Sequence, residues 1–181
     1  KELAGSRDRV NQWMERFGVR LGIYKNGEFR EQLFPFDPVP RIISKTDWDY
    51  LERGLQQRVQ ALNLFLWDIY HEKHIVHDCV VPEEFVYSSK GYAPECEGID
   101  PAGRVYAHIA GIDLVEGKDG HWYVLEDNLR IPSGASYPMI ARRITRKVSP
   151  GTFAANAVAD NRDYADLLRA MMDTMNGYRG I

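Results

Sequence analysis

The chain has 181 residues, 44% of them hydrophobic and 27% charged, and its formal net charge is −3. This composition is typical of an ordinary soluble globular protein, and the negative charge argues against broad nucleic-acid binding, which needs a basic surface. No stretch approaches the roughly 20 apolar residues of a membrane helix, so we expect neither nucleic acid nor a membrane as a partner. Cys79 and Cys96 have no metal-binding or disulfide spacing, which favours a reducing, cytoplasmic setting.

The N-terminal part of the chain predicts a helix followed by a hairpin. Apolar residues at helical spacing over residues 3–17 indicate an amphipathic helix that Gly18 would end. An Asn26-Gly27 turn between two alternating segments indicates a β-hairpin, and three prolines make the stretch after it extended. We group residues 18–45 as this hairpin and its Pro-rich connector.

Residues 46–70 predict a long helix, for which Ser44 or Thr46 would be the N-cap. Its apolar residues form one stripe, which is typical of a surface that faces a core. The polar residues on its other faces are expected to be solvated, and they are Gln56, Gln57, Arg58 and Asn63.

Three histidines follow this helix at short spacing, His71, His74 and His77. They suggest a metal site, but no HExxH pattern or cysteine pair accompanies them. Residues 75–81 are rich in β-branched side chains and predict a strand. We therefore expect the histidines to close the helix and to begin a strand rather than to bind zinc.

The central feature of the sequence is a predicted β-hairpin and loop within residues 104–137. An apolar strand over residues 106–115 precedes a turn at Lys118-Asp119-Gly120. An aromatic and β-branched strand follows over residues 121–129.

Asp113, Glu126 and Asn128 are a candidate set of metal ligands on this hairpin. Side chains alternate across a strand, so Glu126 and Asn128 point to one face, and pairing across the turn can bring Asp113 near it. Two carboxylates and an amide oxygen are hard ligands that suit Mg²⁺ or Mn²⁺. Surface hairpins also carry acidic residues routinely, so these residues alone leave a metal site and a plain surface as even alternatives.

A phosphate-binding turn is predicted directly after the hairpin. Ser133-Gly134-Ala135-Ser136 precedes a predicted helix, where exposed backbone N–H groups and the helix dipole favour an anion. Arg130 can add a planar cation. Metal ligands, an arginine and an anion-binding turn within a short stretch indicate Mg²⁺–nucleotide phosphate chemistry.

Residues 138–176 predict the C-terminal helices, with a break at Pro150-Gly151. The first of these helices carries a basic cluster, for which a solvated or phosphate-facing surface is favoured over a nucleic-acid patch. The cluster consists of Arg142, Arg143, Arg146 and Lys147.

Three parts of the sequence together resemble the circularly permuted type 2 ATP-grasp proteins. That family is related to glutathionylspermidine synthase and to other ATP-dependent carboxylate–amine ligases. The resemblance covers most of the chain, and its last run is highly specific. The parts are Phe34-Pro-Phe-Asp-Pro-Val-Pro-Arg-Ile-Ile43, Gly54-Leu-Gln-Gln-Arg58, and Gly111-Ile-Asp-Leu-Val115 with Val124-Leu-Glu-Asp-Asn-Leu-Arg-Ile-Pro-Ser-Gly-Ala-Ser-Tyr137.

The resemblance implies an α+β fold, in which an antiparallel or mixed sheet with flanking helices is part of a circularly permuted ATP-grasp fold. Family members are considerably longer than this chain. We therefore expect residues 1–181 to form one domain, the N-terminal part of a longer protein, with the nucleotide-clamping lysines beyond Ile181.

The resemblance also implies an activity. The expected enzyme is a ligase that uses ATP and Mg²⁺, with Mn²⁺ as a substitute, to join a small-molecule or peptide carboxylate to an amine through an acylphosphate. Asp113, Glu126 and Asn128 then correspond to the metal ligands. The remaining correspondences are a catalytic and cofactor-binding role for Arg130 and cofactor-binding roles for Ser133, Gly134 and Ser136.

Two other functions stay open. A Mg²⁺-dependent nuclease of the D…ExK type would need a lysine where Asn128 stands and a more basic surface. A binding module that keeps the fold without the reaction would retain the same residues.

Overall fold

A computed structural model describes residues 5–177, and within them the chain forms seven α-helices and two antiparallel two-stranded sheets. The predicted α+β class is confirmed. Two short 3-10 turns, Pro94–Cys96 and Ala102–Arg104, lie in the connection before the second sheet. The elements are α1 Ser6–Arg16, β1 Arg20–Lys25, β2 Glu28–Leu33, α2 Lys45–Tyr70, α3 His74–His77, α4 Glu83–Tyr87, β3 Gly111–Glu116, β4 Trp122–Asn128, α5 Ser136–Val148, α6 Pro150–Asn156 and α7 Tyr164–Gly177.

The described chain divides into two compact units. One consists of residues 5–42 and 134–168, and the other of residues 43–133 and 169–177. The expectation that residues 1–181 are one domain of a longer protein stays a prediction. None of the described helices is both long and apolar enough to cross a membrane.

In the first unit, local signals determine where α1 and the first hairpin end. Gly18 adopts a positive φ of 65°, and the N–H of Val19 donates to the carbonyl of Met14 over 2.9 Å, which closes α1. Asn26 and Gly27 both have positive φ, as a type I′ hairpin turn requires. The predicted helix and hairpin are therefore present, although residues 3 and 4 of the predicted helix lie outside the described part.

The core of the first unit lies between α1 and α5. Its buried members, Val10, Met14, Ile144 and Val148, are all nearly inaccessible to solvent. The expected break at Pro150-Gly151 is present, since α5 ends at Val148, but Pro150 also begins a further helix, α6, that was not predicted. Proline is tolerated at the first helical position, where its missing N–H would have no partner in the helix.

In the second unit, Ser44 is the N-cap of α2. Its hydroxyl accepts from the N–H of Asp47 over 3.1 Å and donates to the Asp47 carboxylate over 2.7 Å. The C-terminal part of α2 supplies the core of this unit, where Ile69 and Tyr70 pack with Val86 of α4. The long helix is therefore capped by the first of the two predicted residues.

The prediction of a strand over residues 75–81 is wrong, because the short helix α3 occupies the start of this segment. The carboxylate of Asp68 accepts the N–H groups of His74 and Ile75 over 3.0 and 2.9 Å. These are the donors that a helix N-terminus leaves without a partner, so a side chain from α2 favours a helical turn over a strand.

Asn63 on α2 is buried, which corrects the expectation that it is solvated. Its Oδ1 accepts from the N–H groups of Tyr106 and Ala107 over 2.8 and 2.9 Å, and its Nδ2 donates to the carbonyl of Ala107 over 3.2 Å. These backbone groups are therefore not available to a strand ladder, and β3 begins at Gly111 rather than at Tyr106.

Candidate functional site

The register of the second hairpin places the candidate ligands on one face. Asp113 lies directly opposite Glu126, and Gly111 lies opposite Asn128. Residues opposite each other in an antiparallel pair share a face, as do alternate residues of one strand. Asp113, Glu126 and Asn128 therefore project from the same side of the hairpin, as the sequence predicts.

A β-bulge lies beside the Asp113–Glu126 pair. Asp113 pairs with Glu126 but Leu114 pairs with Val124, so Leu125 is an extra residue in β4. Because of it, Val124 and Asp127 share the opposite face although they are three positions apart. The bulge thus lets one strand present apolar residues and then a carboxylate to α2 while its acceptors point the other way.

The face opposite the candidate ligands lies along α2. Leu114, Trp122 and Val124 line a groove together with α2 residues that include Leu51 and Leu55. Their apolar surfaces place the hairpin beside the helix, which leaves the acceptor face directed away from it.

At the end of β4, Arg58 of α2 binds Asp127 through two hydrogen bonds. Its Nε donates to Oδ1 over 2.7 Å and its Nη2 donates to Oδ2 over 2.6 Å. This contact holds the pKa of the Asp127 carboxyl below its ordinary value, chiefly through the hydrogen bonds from Arg58. Arg58 is exposed, as expected, but its pairing with Asp127 was not predicted. The signal that could have identified this pairing is the Gly54–Arg58 part of the resemblance.

The acceptor face itself is open. Asp113 and Glu126 are exposed and Asn128 is half-buried, and none of these three side chains has a hydrogen bond or ion pair with another described residue. Nowhere in residues 5–177 do three or more His, Cys, Asp and Glu side chains form a group able to hold a metal. The predicted set has two carboxylates and an amide, and this all-oxygen chemistry fits Mg²⁺ or Mn²⁺.

The loop after β4 folds back across β3 at a glycine. A Cβ at Gly111 would lie 3.1 Å from the Cβ of Pro132, closer than ordinary carbon–carbon contact. Ile131 has a positive φ of 53° and is 84% exposed, an unusual conformation for a β-branched residue. Gly111 therefore permits the close turn that carries Arg130, an exposed side chain without a hydrogen bond or ion pair among the described residues.

The predicted phosphate turn has the expected local form. Gly134 has a positive φ of 90°, and its carbonyl accepts the N–H of Tyr137 over 2.9 Å. Helix α5 then begins at Ser136 with no side-chain cap, and both Ser133 and Ser136 are exposed. The boundary between the two units falls between Ser133 and Gly134, and the binding roles of all three residues stay predictions.

The basic cluster of α5 stacks largely on aromatic rings of its own unit. Arg143 lies over Phe17, Arg146 over Phe153 and Lys147 over Trp13, with 4.6 to 5.2 Å between each cation and the ring centre. The guanidinium of Arg142 donates to the carbonyl of Ala159 instead. These cations thus contribute to packing at the surface of the first unit.

The three histidines have different surroundings. His71 stacks on Trp67, with one ring nitrogen 3.0 Å from the Trp67 carbonyl and the other 3.2 Å from Asp100. His74 is 3.5 Å from Asp68, and His77 is exposed. His71 and His74 thus contact residues near the C-terminal end of α2. That none of the three binds zinc stays a prediction.

Comparison with known proteins identifies relatives over most of the chain. A protein of Synechocystis sp. named as uncharacterized is 46% identical over 75% of this chain, and one of Mycobacterium leprae is 45% identical over 89%. A Frankia casuarinae protein named "Putative glutamate–cysteine ligase 2-2" is 46% identical over 69% of this chain. The chain spans 28%, 29% and 14% of the lengths of these three relatives.

The family model that matches is circularly permuted ATP-grasp type 2, over residues 40–180. The matched range contains α2, the second hairpin and the loop that follows it. The more specific likeness to glutathionylspermidine synthase stays a prediction. The chain belongs to the circularly permuted ATP-grasp type 2 family.

Proposed function

We propose that this chain is the metal-binding part of an ATP-dependent carboxylate–amine ligase. The observation that carries the proposal is the register of the second hairpin, which sets Asp113 opposite Glu126 with Asn128 on the same face. Membership of an ATP-grasp family supports a nucleotide as the ligand of such a face. The ligase name of the Frankia relative supports bond formation rather than hydrolysis.

The proposed reaction has two steps. A carboxylate oxygen of the acid attacks the γ-phosphorus of ATP, the bond to the β–γ bridging oxygen breaks, and ADP leaves with that bond's electron pair. The amine nitrogen of the second substrate then attacks the carbonyl carbon of the acylphosphate. Inorganic phosphate leaves, the nitrogen loses a proton, and an amide is formed.

Asp113, Glu126 and Asn128 would hold Mg²⁺, for which Mn²⁺ can substitute. When bound, the metal supplies charge neutralisation for the phosphate oxygens. The chain contributes a fixed array of acceptors, which the paired strands hold in place before any ligand arrives. No other described side chain has to be displaced from these acceptors, since none binds them.

Arg130 is proposed as the catalytic cation and as a cofactor-binding residue. Its guanidinium is exposed on the loop that follows the acceptor face, and a planar cation suits phosphate or carboxylate oxygens. Ser133, Gly134 and Ser136 are proposed as cofactor-binding residues. Support for them comes from the sequence pattern and from the uncapped N-terminus of α5.

The substrates are proposed to be a small-molecule or peptide carboxylate and an amine. The chain matches only 14% of the Frankia protein, so glutamate and cysteine are first test substrates rather than assignments. A reducing, cytoplasmic setting is proposed because Cys79 and Cys96 are both free thiols.

The nuclease hypothesis has no support from the family, and Asn128 stands where it would need a lysine. The alternative that remains is a binding module that uses the same face for Mg²⁺–nucleotide without a reaction. Turnover separates the two, since only the ligase releases ADP in proportion to an added acid and amine.

The test is an ADP-release assay on the intact protein with ATP, Mg²⁺ and mixtures of amino acids and short peptides. Glu126→Gln and Asn128→Ala are expected to lower turnover by roughly 100-fold or more, because each removes an acceptor from the proposed metal set. Asp119→Asn is the matched control, since Asp119 lies at the tip of the same hairpin, where it accepts from Tyr123. Undiminished turnover in Glu126→Gln or Asn128→Ala would contradict the assignment.

A further inference from the structure

Arg58 and Asp127 form a long-range polar contact at the end of the strand that carries Glu126 and Asn128. They are 69 positions apart in sequence, and their two hydrogen bonds of 2.7 and 2.6 Å use both carboxylate oxygens. The side chain of Asp127 is only 18% exposed and that of Arg58 is 44% exposed. A two-point contact between a planar guanidinium and a planar carboxylate fixes orientation as well as distance.

The position of Asp127 makes this contact relevant to the site. Asp127 lies between Glu126 and Asn128 in the strand, but its side chain points to the other face of the hairpin. Its partner in the neighbouring strand is Ile112. The bulge at Leu125 immediately precedes this part of β4, where the regular ladder is interrupted. A fixed Asp127 therefore limits rotation of the strand end about its own axis, and that rotation sets the direction of its two neighbours.

We infer that Arg58 is a positioning residue for the metal site, one that aims Glu126 and Asn128 by holding Asp127 from the α2 side. This inference rests on the proposed function, because it assigns a purpose to the direction of those two acceptors. Partners that orient metal ligands from behind commonly affect metal affinity strongly without touching the metal. Arg58 itself contacts the hairpin on the face opposite the acceptors.

Charge and geometry predict opposite outcomes for Arg58→Ala. The substitution leaves the Asp127 carboxylate without its cation, so charge alone would make the region more negative and cation binding tighter. Loss of positioning predicts weaker binding instead. Arg58→Lys keeps the charge but replaces the two-point contact with a single ammonium group, so it isolates the geometric contribution.

The experiment measures Mn²⁺ binding to the intact protein without added nucleotide, because ATP itself chelates Mn²⁺, by electron paramagnetic resonance of free Mn²⁺. Arg58→Lys and Arg58→Ala are both expected to raise the Mn²⁺ dissociation constant by about 10-fold or more. Arg53→Lys is the matched control on the same helix, where Arg53 donates to the backbone carbonyl of Asp49, and it should bind like the unmodified protein. Melting temperatures ensure that each titration is made on folded protein.

Binding within twofold of the unmodified protein in Arg58→Lys, or tighter binding in Arg58→Ala, would overturn the positioning inference. Glu126→Gln serves as the reference. If Glu126→Gln abolishes binding while both Arg58 variants retain it, only the role of Arg58 fails. If Glu126→Gln binds Mn²⁺ normally, the metal assignment and the inference that rests on it both fail.

Discussion

At the level of single residues, Asp160 shows how neighbouring donors stabilise an exposed carboxylate. It accepts from the side chain of Arg162 over 2.6 Å and from the N–H groups of Asn161 and Arg162 over 2.8 and 3.1 Å. These hydrogen bonds lower the pKa of Asp160 from 3.8 to about 2, and the one from the Arg162 side chain has the largest effect.

Arg162→Ala is expected to raise the pKa of Asp160 toward its ordinary value of 3.8. In the folded state the pKa of Asp160 lies below its ordinary value of 3.8. Its carboxylate therefore stabilises the fold fully at pH values above 3.8, and this contribution is lost as the pH falls toward 2. In the variant, the remaining contribution is therefore lost at a higher pH. Carboxyl NMR titration measures the shift, with Arg7→Ala as a control, and an unchanged Asp160 titration would contradict the assignment.

Gly111 shows how a missing side chain shapes the loop beside the acceptor face. Its missing side chain is what allows Pro132 to approach β3, so the loop that carries Arg130 depends on a residue that has no chemistry of its own. Gly111 is the first residue of β3, and its presence there follows from the close approach of the loop.

At the level of elements, Asn63 joins α2 to the segment that leads into β3. Its side chain forms hydrogen bonds with three backbone groups of Tyr106 and Ala107, at distances of 2.8, 2.9 and 3.2 Å. It also donates to the carbonyl of Val59 over 3.1 Å. The side-chain amide of Asn63 thus satisfies polar groups both on α2 and on the segment that leads into β3.

Asn63→Leu is expected to lower the free energy of unfolding by about 2 kcal/mol, because it leaves buried N–H and C=O groups without partners. Urea denaturation of the intact protein measures the change. Gln60→Leu, at an exposed position of the same helix, is the control and should change stability little. Equal stability of Asn63→Leu and Gln60→Leu would show that the amide does not fasten this segment.

The elements that the sequence predicts well depend on local signals. The Asn26-Gly27 turn, the positive φ of Gly18 and the Ser44 cap each act within a few residues of one another. The alternation along β4 likewise places Glu126 and Asn128 on one face. This is why the main helices and the shared face of Glu126 and Asn128 could be predicted from sequence alone.

The features that the sequence did not predict have a different cause, since each depends on a side-chain contact that lies outside the local pattern. Asn63 has the pattern of a solvated helix residue, but Ala107 lies beside it in the fold and buries it. The pairing of exposed Arg58 with Asp127 spans 69 positions. The strand expected at residues 75–81 gave way to a helix because Asp68 caps it. Periodicity and propensity do not specify such contacts, so the support behind the acceptor face became visible only in the structure.

At the level of the whole molecule, the chain spans less than a third of the length of the relatives described above. Complete turnover is therefore a proposal about the intact protein, whereas the acceptor face belongs to this chain. Asp113, Glu126 and Asn128 are proposed to hold the metal that accompanies ATP. Binding tests this claim without knowledge of the acid or the amine.

The most direct measurement is a calorimetric titration of the intact protein with ATP in the presence of Mg²⁺, repeated with EDTA. The unmodified protein and Asp119→Asn are expected to bind ATP with the same affinity. Glu126→Gln, and the unmodified protein in EDTA, are each expected to bind ATP at least about 10-fold more weakly. Binding by Glu126→Gln that equals the control, or binding that EDTA leaves unchanged, would contradict the account.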